Sequence, residues 1–115
     1  MILHPIKYDV DVQKAIKKRG LQTEAQKFID SEVMRLCEPY VPLDSGALKQ
    51  SAATHTKIGS GRVVYNTPYA RRWYYMPAKF KGAPTRGNFW LEKMKKQGGV
   101  EKLHKGIRAI IRRHE

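Results

Sequence analysis

Apolar residues recur along this chain with two different spacings, and the switches between them mark out its elements. From Leu21 to Glu38 the spacing is helical: Leu21, Ala25, Phe28, Ile29, Val33, Leu36 and Cys37 fall at steps of three and four. Glu24, Lys27, Asp30 and Arg35 fill the other face, and Pro39 and Pro42 stop the run. Ahead of it, Ile6, Tyr8, Val10 and Val12 alternate with Lys7, Asp9 and Asp11, the period of a half-buried strand. Lys14, Lys17 and Lys18 then fit one side of a helical turn that Gly20 closes.

Past the prolines, Asp44 or Ser45 is placed to cap a short helical turn through Leu48 and Gln50. From Ser51 to Thr67 the pattern reads as β. Thr54, Thr56 and Ile58 alternate with His55 and Lys57, Gly59-Ser60-Gly61 makes a hairpin loop, and Arg62 to Thr67 is the return strand. Thr67-Pro68 predicts an N-cap with proline at the first helical position, opening a helix over Tyr69 to Met76 that Pro77 ends. After a loop over residues 77–87, Asn88 is the expected cap of a helix from Phe89 to Gln97, with Gly98-Gly99 as its stop. A last amphipathic helix, Val100 to His114, aligns Val100, Leu103, Ile107, Ile110 and Ile111, although Gly106 inside it costs ~1 kcal/mol relative to alanine. The expected architecture is α+β: a long N-terminal helix packed on a small antiparallel sheet, with further short helices C-terminal. A single domain is expected over residues 1–115, with 1–19 and 99–115 as candidate extended arms.

Composition changes this picture mainly through charge. Twenty-three Lys and Arg against ten Asp and Glu leave a net charge of +13. Such a surface repels its own copies unless acidic partners or counter-ions intervene. Nucleic acid and an acidic protein surface are both compatible with it. No apolar run approaches the ~20 residues of a membrane span, and the first residues do not resemble a secretory signal, so no membrane partner is expected. One cysteine, Cys37, allows no intrachain disulfide; its place on the apolar stripe of the long helix makes it a buried thiol, in a protein expected in a reducing cytoplasm or a particle assembled there.

Candidate chemistry is sparse. The histidines at 4, 55, 104 and 114 lack metal-ligand spacing, so neither a metal nor a cofactor is expected. Leu43-Asp44-Ser45-Gly46-Ala47 resembles the Asp-Thr/Ser-Gly of dimeric aspartic proteases, in which each chain contributes one aspartate to a pair sharing a proton. The long helix preceding it and the helical half of the chain argue against that nearly all-β fold, and Asp-Ser-Gly is a common turn tripeptide. The run Tyr69 to Tyr75 combines arginines and aromatics, the residue types that stack bases and that dominate protein–protein hot spots. Basic residues are scattered over every element, and no familiar nucleic-acid motif is present.

Three blocks carry a resemblance. Tyr40-Val41-Pro42-Leu43-Asp44-Ser45-Gly46-Ala47-Leu48, then Gly61 to Arg72 with Tyr65-Asn66-Thr67-Pro68-Tyr69-Ala70 at its centre, then Asn88-Phe89-Trp90-Leu91-Glu92-Lys93-Met94 resemble the minor capsid proteins of tailed phages and prophages of Gram-positive bacteria, within the wider head–tail joining and tail-completion group. The order and spacing agree over roughly residues 20–96. The ends, and a charge above what the family requires, lie outside the match.

The resemblance implies a virion neck component without catalytic activity, present in the host cytoplasm during assembly and acting as a ring where the capsid portal meets the tail. The partners it implies are other copies of the chain and portal, adaptor or tail proteins, with nonspecific DNA contact suggested by the charge. Interface candidates are Tyr69, Arg71, Arg72, Trp73 and Tyr74, with Lys79, Lys81 and Arg86 from the following loop. The reading from another class is a small basic nucleic-acid-binding protein; the remote one is the protease using Asp44.

Overall fold

Helical spacing over Leu21–Glu38 gives the longest helix of the molecule, and the other elements are arranged around it. The structure is a computed structural model that describes residues 1–3, 10–42, 46–77 and 83–114. In chain order the elements are β1 (Ile2–Leu3), α1 (Val10–Lys18), α2 (Gln22–Cys37), α3 (Ala47–His55), β2 (Val63–Val64), α4 (Ala70–Tyr75), α5 (Trp90–Met94) and α6 (Val100–Arg113). A 3-10 turn, Glu38–Tyr40, extends α2. A wide turn, Lys95–Gly99, joins α5 to α6 where Gln97 and Gly98 leave helical angles. α2 touches α1, α5, α6 and β2. Its buried face, Ala25, Ile29, Val33 and Cys37, meets the buried stripe of α6, Leu103, Ile107, Ile110 and Ile111, in one core that also takes Val12 and Ile16 of α1.

This overturns the α+β expectation. The molecule is mostly helical, its first helix is the short α1, and the only sheet among the described residues is two strands of two residues each. Of the strand expected over Ile6–Val12, residues up to Asp9 lie outside the described residues, and Val10 and Val12 begin α1. The final helix, at 14 residues, is not short.

The expected hairpin over Ser51–Thr67 fails for a specific reason. Residues through His55 belong to α3, where the Ser51 hydroxyl donates to the Leu48 carbonyl (2.6 Å) and Thr54 to that of Gln50 (3.1 Å), so these hydroxyls are satisfied inside a helix. β2 pairs antiparallel with β1 instead, Ile2 opposite Val64 and Leu3 opposite Val63. Met1 extends the pairing by exchanging two hydrogen bonds with Tyr65. On the other side, the N–H groups of Val64 and Asn66 donate to the hydroxyls of Thr56 (2.9 Å) and Ser51 (3.0 Å). Side chains of α3 and its C-cap thus take the place of a partner strand, and the hydroxyls that do so, Ser51 and Thr56, come from the stretch that reads as a strand.

Two further corrections concern the helices. Asp30, expected on the polar face of α2, is completely buried. Its Oδ2 accepts from the backbone N–H of Gly59 (2.8 Å) and Gly61 (3.0 Å), and its Oδ1 from Gln26 Nε2 (2.9 Å). The Gly59-Ser60-Gly61 segment is therefore not a hairpin loop. It wraps a carboxylate, with both glycines at positive φ (98° and 80°) so that both N–H groups converge on one oxygen. Gly106 also has a packing reason: a Cβ there would lie 2.1 Å from the Cζ of Phe28 on α2. Glycine is the residue that lets the two helices approach over that ring.

Asp30→Ala leaves two backbone donors without their acceptor, and we expect a loss of ~3–6 kcal/mol in urea unfolding, since each hydrogen bond to a charged group contributes ~1.5–3 kcal/mol. A loss below ~0.5 kcal/mol would show that the turn is held by other contacts. Gly106→Ala gains ~1 kcal/mol in helix propensity but overpacks against Phe28 at ~1–3 kcal/mol. We expect a net destabilisation that Phe28→Leu in the same chain relieves; a variant stabilised by the full propensity gain would contradict the packing account.

Candidate interaction surface

The interface candidates of the Tyr69–Tyr75 run are divided by α4 into an inner and an outer set. A six-residue helix can turn only one narrow side to the core, and here Ala70 and Tyr74, four apart, take it. Trp73 is half-buried against the same core. Tyr69, Arg71, Arg72 and Tyr75 are exposed. The expected Thr67-Pro68 start is displaced: Tyr69 holds the N-cap position without a side-chain cap, and the Thr67 carbonyl accepts from the Ala70 N–H (3.2 Å).

Trp90, fully buried at the start of α5, is the centre on which the surface rests. Tyr74 meets it edge-on with centroids 4.6 Å apart, and Tyr65 does so at 5.1 Å. Such T-shaped pairs are worth ~0.5–1.5 kcal/mol beyond the area they bury. Burial pushes the Tyr74 hydroxyl up to about 12, with the Glu92 carboxylate adding to the shift. Burial raises the Tyr65 hydroxyl as well, opposed by the nearby Trp90 indole, whose N–H nevertheless makes no hydrogen bond of ordinary geometry.

From Tyr74 the aromatic contacts continue outward. Its ring packs against Phe89 (5.5 Å) and Tyr75 (5.2 Å), which also meet each other (5.9 Å). Phe89 is 40% exposed, Tyr75 52% and the adjoining Met76 54%. The Arg71 guanidinium lies 6.0 Å from the Tyr75 ring centroid, within cation–π range. Phe89, not Asn88, sits at the N-cap of α5, in the left-handed region (φ 51°, ψ 45°), and it is the only non-glycine with positive φ among the described residues. That conformation costs ~1–2 kcal/mol in a residue with a Cβ. It is held by the Phe89 N–H, which donates to the Tyr74 carbonyl (2.9 Å), and by the Phe89 carbonyl, which accepts from the Lys93 N–H (2.9 Å). Strain of this kind persists where the surroundings over-determine it, and it collects at functional surfaces.

Arg86 has an internal task. Its Nη1 donates to the carbonyls of Glu38 (2.6 Å) and Val41 (2.7 Å), and its Nη2 to the Glu38 carboxylate (3.1 Å). Thr85 Oγ1 and the Gly87 N–H bond the carbonyls of Pro39 and Tyr40, each at 3.0 Å. Together they satisfy the carbonyls left over at the end of α2 and its 3-10 turn, where a cation is also favoured by the helix dipole. Lys49 and Arg86 hold the Glu38 carboxyl below its usual range. Lys79 and Lys81 lie outside the described residues, as do Asp44 and Ser45, so neither the expected cap nor an aspartate pair is part of the described geometry.

The structure brings Tyr69, Arg71 and Arg72 together on one exposed element, with Trp73 and Tyr74 beneath. The reading of the sequence missed Tyr75, Met76 and Phe89 as surface residues. The signal was present: with Ala70 and Tyr74 facing inward, Tyr75 must face out, and Pro77 prevents the helix from covering Met76. Among the described residues no group of His, Cys, Asp and Glu could hold a metal ion, and no helix is long and apolar enough to cross a membrane. Cys37 is buried, and desolvation pushes its thiol up to about 12 against a small opposing effect of Lys95.

A family model described as "Minor capsid protein" matches residues 6–112. No curated protein and no solved structure matches the chain.

The division between anchor and outer rings is testable by stability. Trp90→Ala empties the centre of the cluster, for an expected loss of ~3–5 kcal/mol. In Phe89→Gly, the relieved backbone strain offsets the lost ring contacts, so the change should remain within ~1 kcal/mol. Equal losses for the two variants in urea unfolding would mean that Phe89 is part of the core.

Proposed function

The chain belongs to the minor capsid protein family, and from that premise we propose that it is a component of the phage head–tail connector, acting without catalysis. Membership makes it a structural component of the virion. The proposal goes further: copies associate into a ring and dock on portal, adaptor or tail proteins, after synthesis in the host cytoplasm. The observation that carries the reading is the extent of the family match, which includes every element from α1 to nearly the end of α6.

The exposed aromatic surface supports it. Tyr75, Phe89 and Met76, flanked by Tyr69, Arg71 and Arg72, have the composition of an interface core with a cationic rim. Rigid two-torsion aromatics lose little entropy when they are covered. In this proposal Tyr69, Arg71, Arg72 and Tyr75 make the contacts. Trp73 and Tyr74 support them from beneath, Arg86 fixes the end of the loop, and Lys79 and Lys81, outside the described residues, remain proposed contacts by sequence alone. A closed ring requires a heterologous contact, so this surface meets a different surface on the next copy. The mostly helical architecture is unlike the nearly all-β one that a paired-aspartate protease requires, and the proposal gives Asp44 no chemical role.

Light scattering on the purified chain, alone and mixed with its portal and tail neighbours, tests the proposal. We expect association that Tyr75→Ser with Arg71→Glu weakens at least tenfold, about 1.4 kcal/mol, with the fold retained by circular dichroism. A wild-type chain that binds neither itself nor any virion protein would refute the connector role. Undiminished association of the double variant would refute this surface as its site.

A further inference from the structure

The positive charge is scattered along the sequence, but folding concentrates part of it. α6 turns Leu103, Ile107, Ile110 and Ile111 into the core, so its opposite side faces solvent over the whole length of the helix. That side carries Lys102, Lys105, Arg108 and Arg112, all exposed and none in an ion pair among the described residues. Arg113 beside them is paired with Glu24 (3.6 Å). α1 packs against α6 and adds exposed Lys14, Lys17 and Lys18, also without ion pairs among the described residues. The basic residues of the Glu32–Arg35, Glu38–Lys49, Glu38–Arg86 and Glu92–Lys95 pairs are, by contrast, locally neutralised.

We propose that the solvent face of α6, with α1 alongside, binds the phosphate backbone of double-stranded DNA without sequence preference. The chemistry of the face selects this occupant over an acidic protein. Protein interfaces are built on aromatic and apolar anchors and are depleted in lysine; between Lys102 and Arg112 the exposed face of α6 offers only Ala109 as an apolar residue. The anchors are elsewhere, at Tyr75 and Phe89. A lipid surface is disfavoured because an interfacial helix must insert its apolar side, and that side of α6 is in the core. The dimensions agree with a duplex: ten residues of helix cover ~15 Å, along which B-DNA presents about nine phosphate charges. No base-reading group is required, since phosphate contacts alone position a protein without specifying sequence. The inference is independent of the connector reading and would stand if that reading failed.

Fluorescence anisotropy with a labelled duplex of about 20 base pairs, titrated with salt, tests it on the full chain. Wild type should bind with an affinity that falls log-linearly with salt. Replacing Lys102, Lys105, Arg108 and Arg112 by Gln should reduce that slope by about 3–4, at ~0.9 per phosphate contact, and weaken binding at least tenfold at fixed salt. A control with equal charge loss, Lys27, Lys57, Arg62 and Lys96 to Gln, should retain most of the wild-type slope and affinity. Circular dichroism establishes that both variants are folded. Equal losses in the two variants would assign binding to bulk charge and overturn the proposal. So would absence of binding at ~50 mM salt, a regime in which phosphate contacts are strong. Polyglutamate competing as well as unlabelled DNA at equal charge would also overturn it, in favour of an acidic protein surface.

Discussion

A buried carboxylate near the middle of the longest helix is the constraint on which the rest of the arrangement depends. Asp30 has no exposed surface, and among the described residues its hydrogen-bond shell holds no cation: the partners there are two backbone N–H groups and one amide. An unpartnered buried carboxylate costs on the order of several kcal/mol. The Gly59–Gly61 turn therefore has to close on α2 in the one conformation that aims both donors at Oδ2. That closure fixes where the chain leaves for β2, and β2 in turn sets Tyr65 against Trp90. The exposed rings of Tyr75 and Phe89 rest on Trp90 through Tyr74. The outer surface is thus tied to the α2 carboxylate through an unbroken series of contacts, although neither end touches the other.

Hydrogen bonding rather than strand pairing builds the centre of the molecule. β2 is two residues long, too short to be stable as part of a sheet alone. It is held because its N–H groups and those of the two residues after it have separate partners on two sides: Tyr65 with Met1, and Val64 and Asn66 with the hydroxyls of Thr56 and Ser51. Replacing a partner strand by hydroxyls from a helix and its C-cap satisfies the same donors with fewer ordered residues. The Arg86 contacts use the same device on acceptors, where one guanidinium satisfies two main-chain carbonyls at the end of α2.

These polar substitutions explain which parts of the fold the sequence revealed. The spacing of apolar residues identified α2 and α6 almost to their ends, because helices buried on one side carry a clear period. It also placed Cys37 correctly in the core. Periodicity is blind to a polar side chain that is buried because its partners are brought by a distant turn, so Asp30 was read as solvent-facing. The same blindness turned the hydroxyls at 51, 54 and 56 into a strand, although Ser51 and Thr54 serve a helix and Thr56 ends it. At the interaction surface, Tyr69, Arg71 and Arg72 were legible from residue type alone. Phe89 was not, because no pattern signals a left-handed phenylalanine; its exposure follows from the hydrogen bond its N–H makes to Tyr74.

The charge and the aromatic surface make opposing demands on assembly. Each copy carries +13, so bringing copies together adds repulsion between like-charged bodies, which salt screens only beyond ~8–10 Å. Aromatic contacts at α4 and α5 act at short range and leave the cations of α6 as they were. In the proposed ring, assembly is therefore most favourable when an anion lies along α6, since it removes the repulsion without occupying the rings. A polyanion bound there and a neighbouring copy bound at Tyr75 would each strengthen the other. That reciprocity follows from linkage and requires no change of shape in the protein between them.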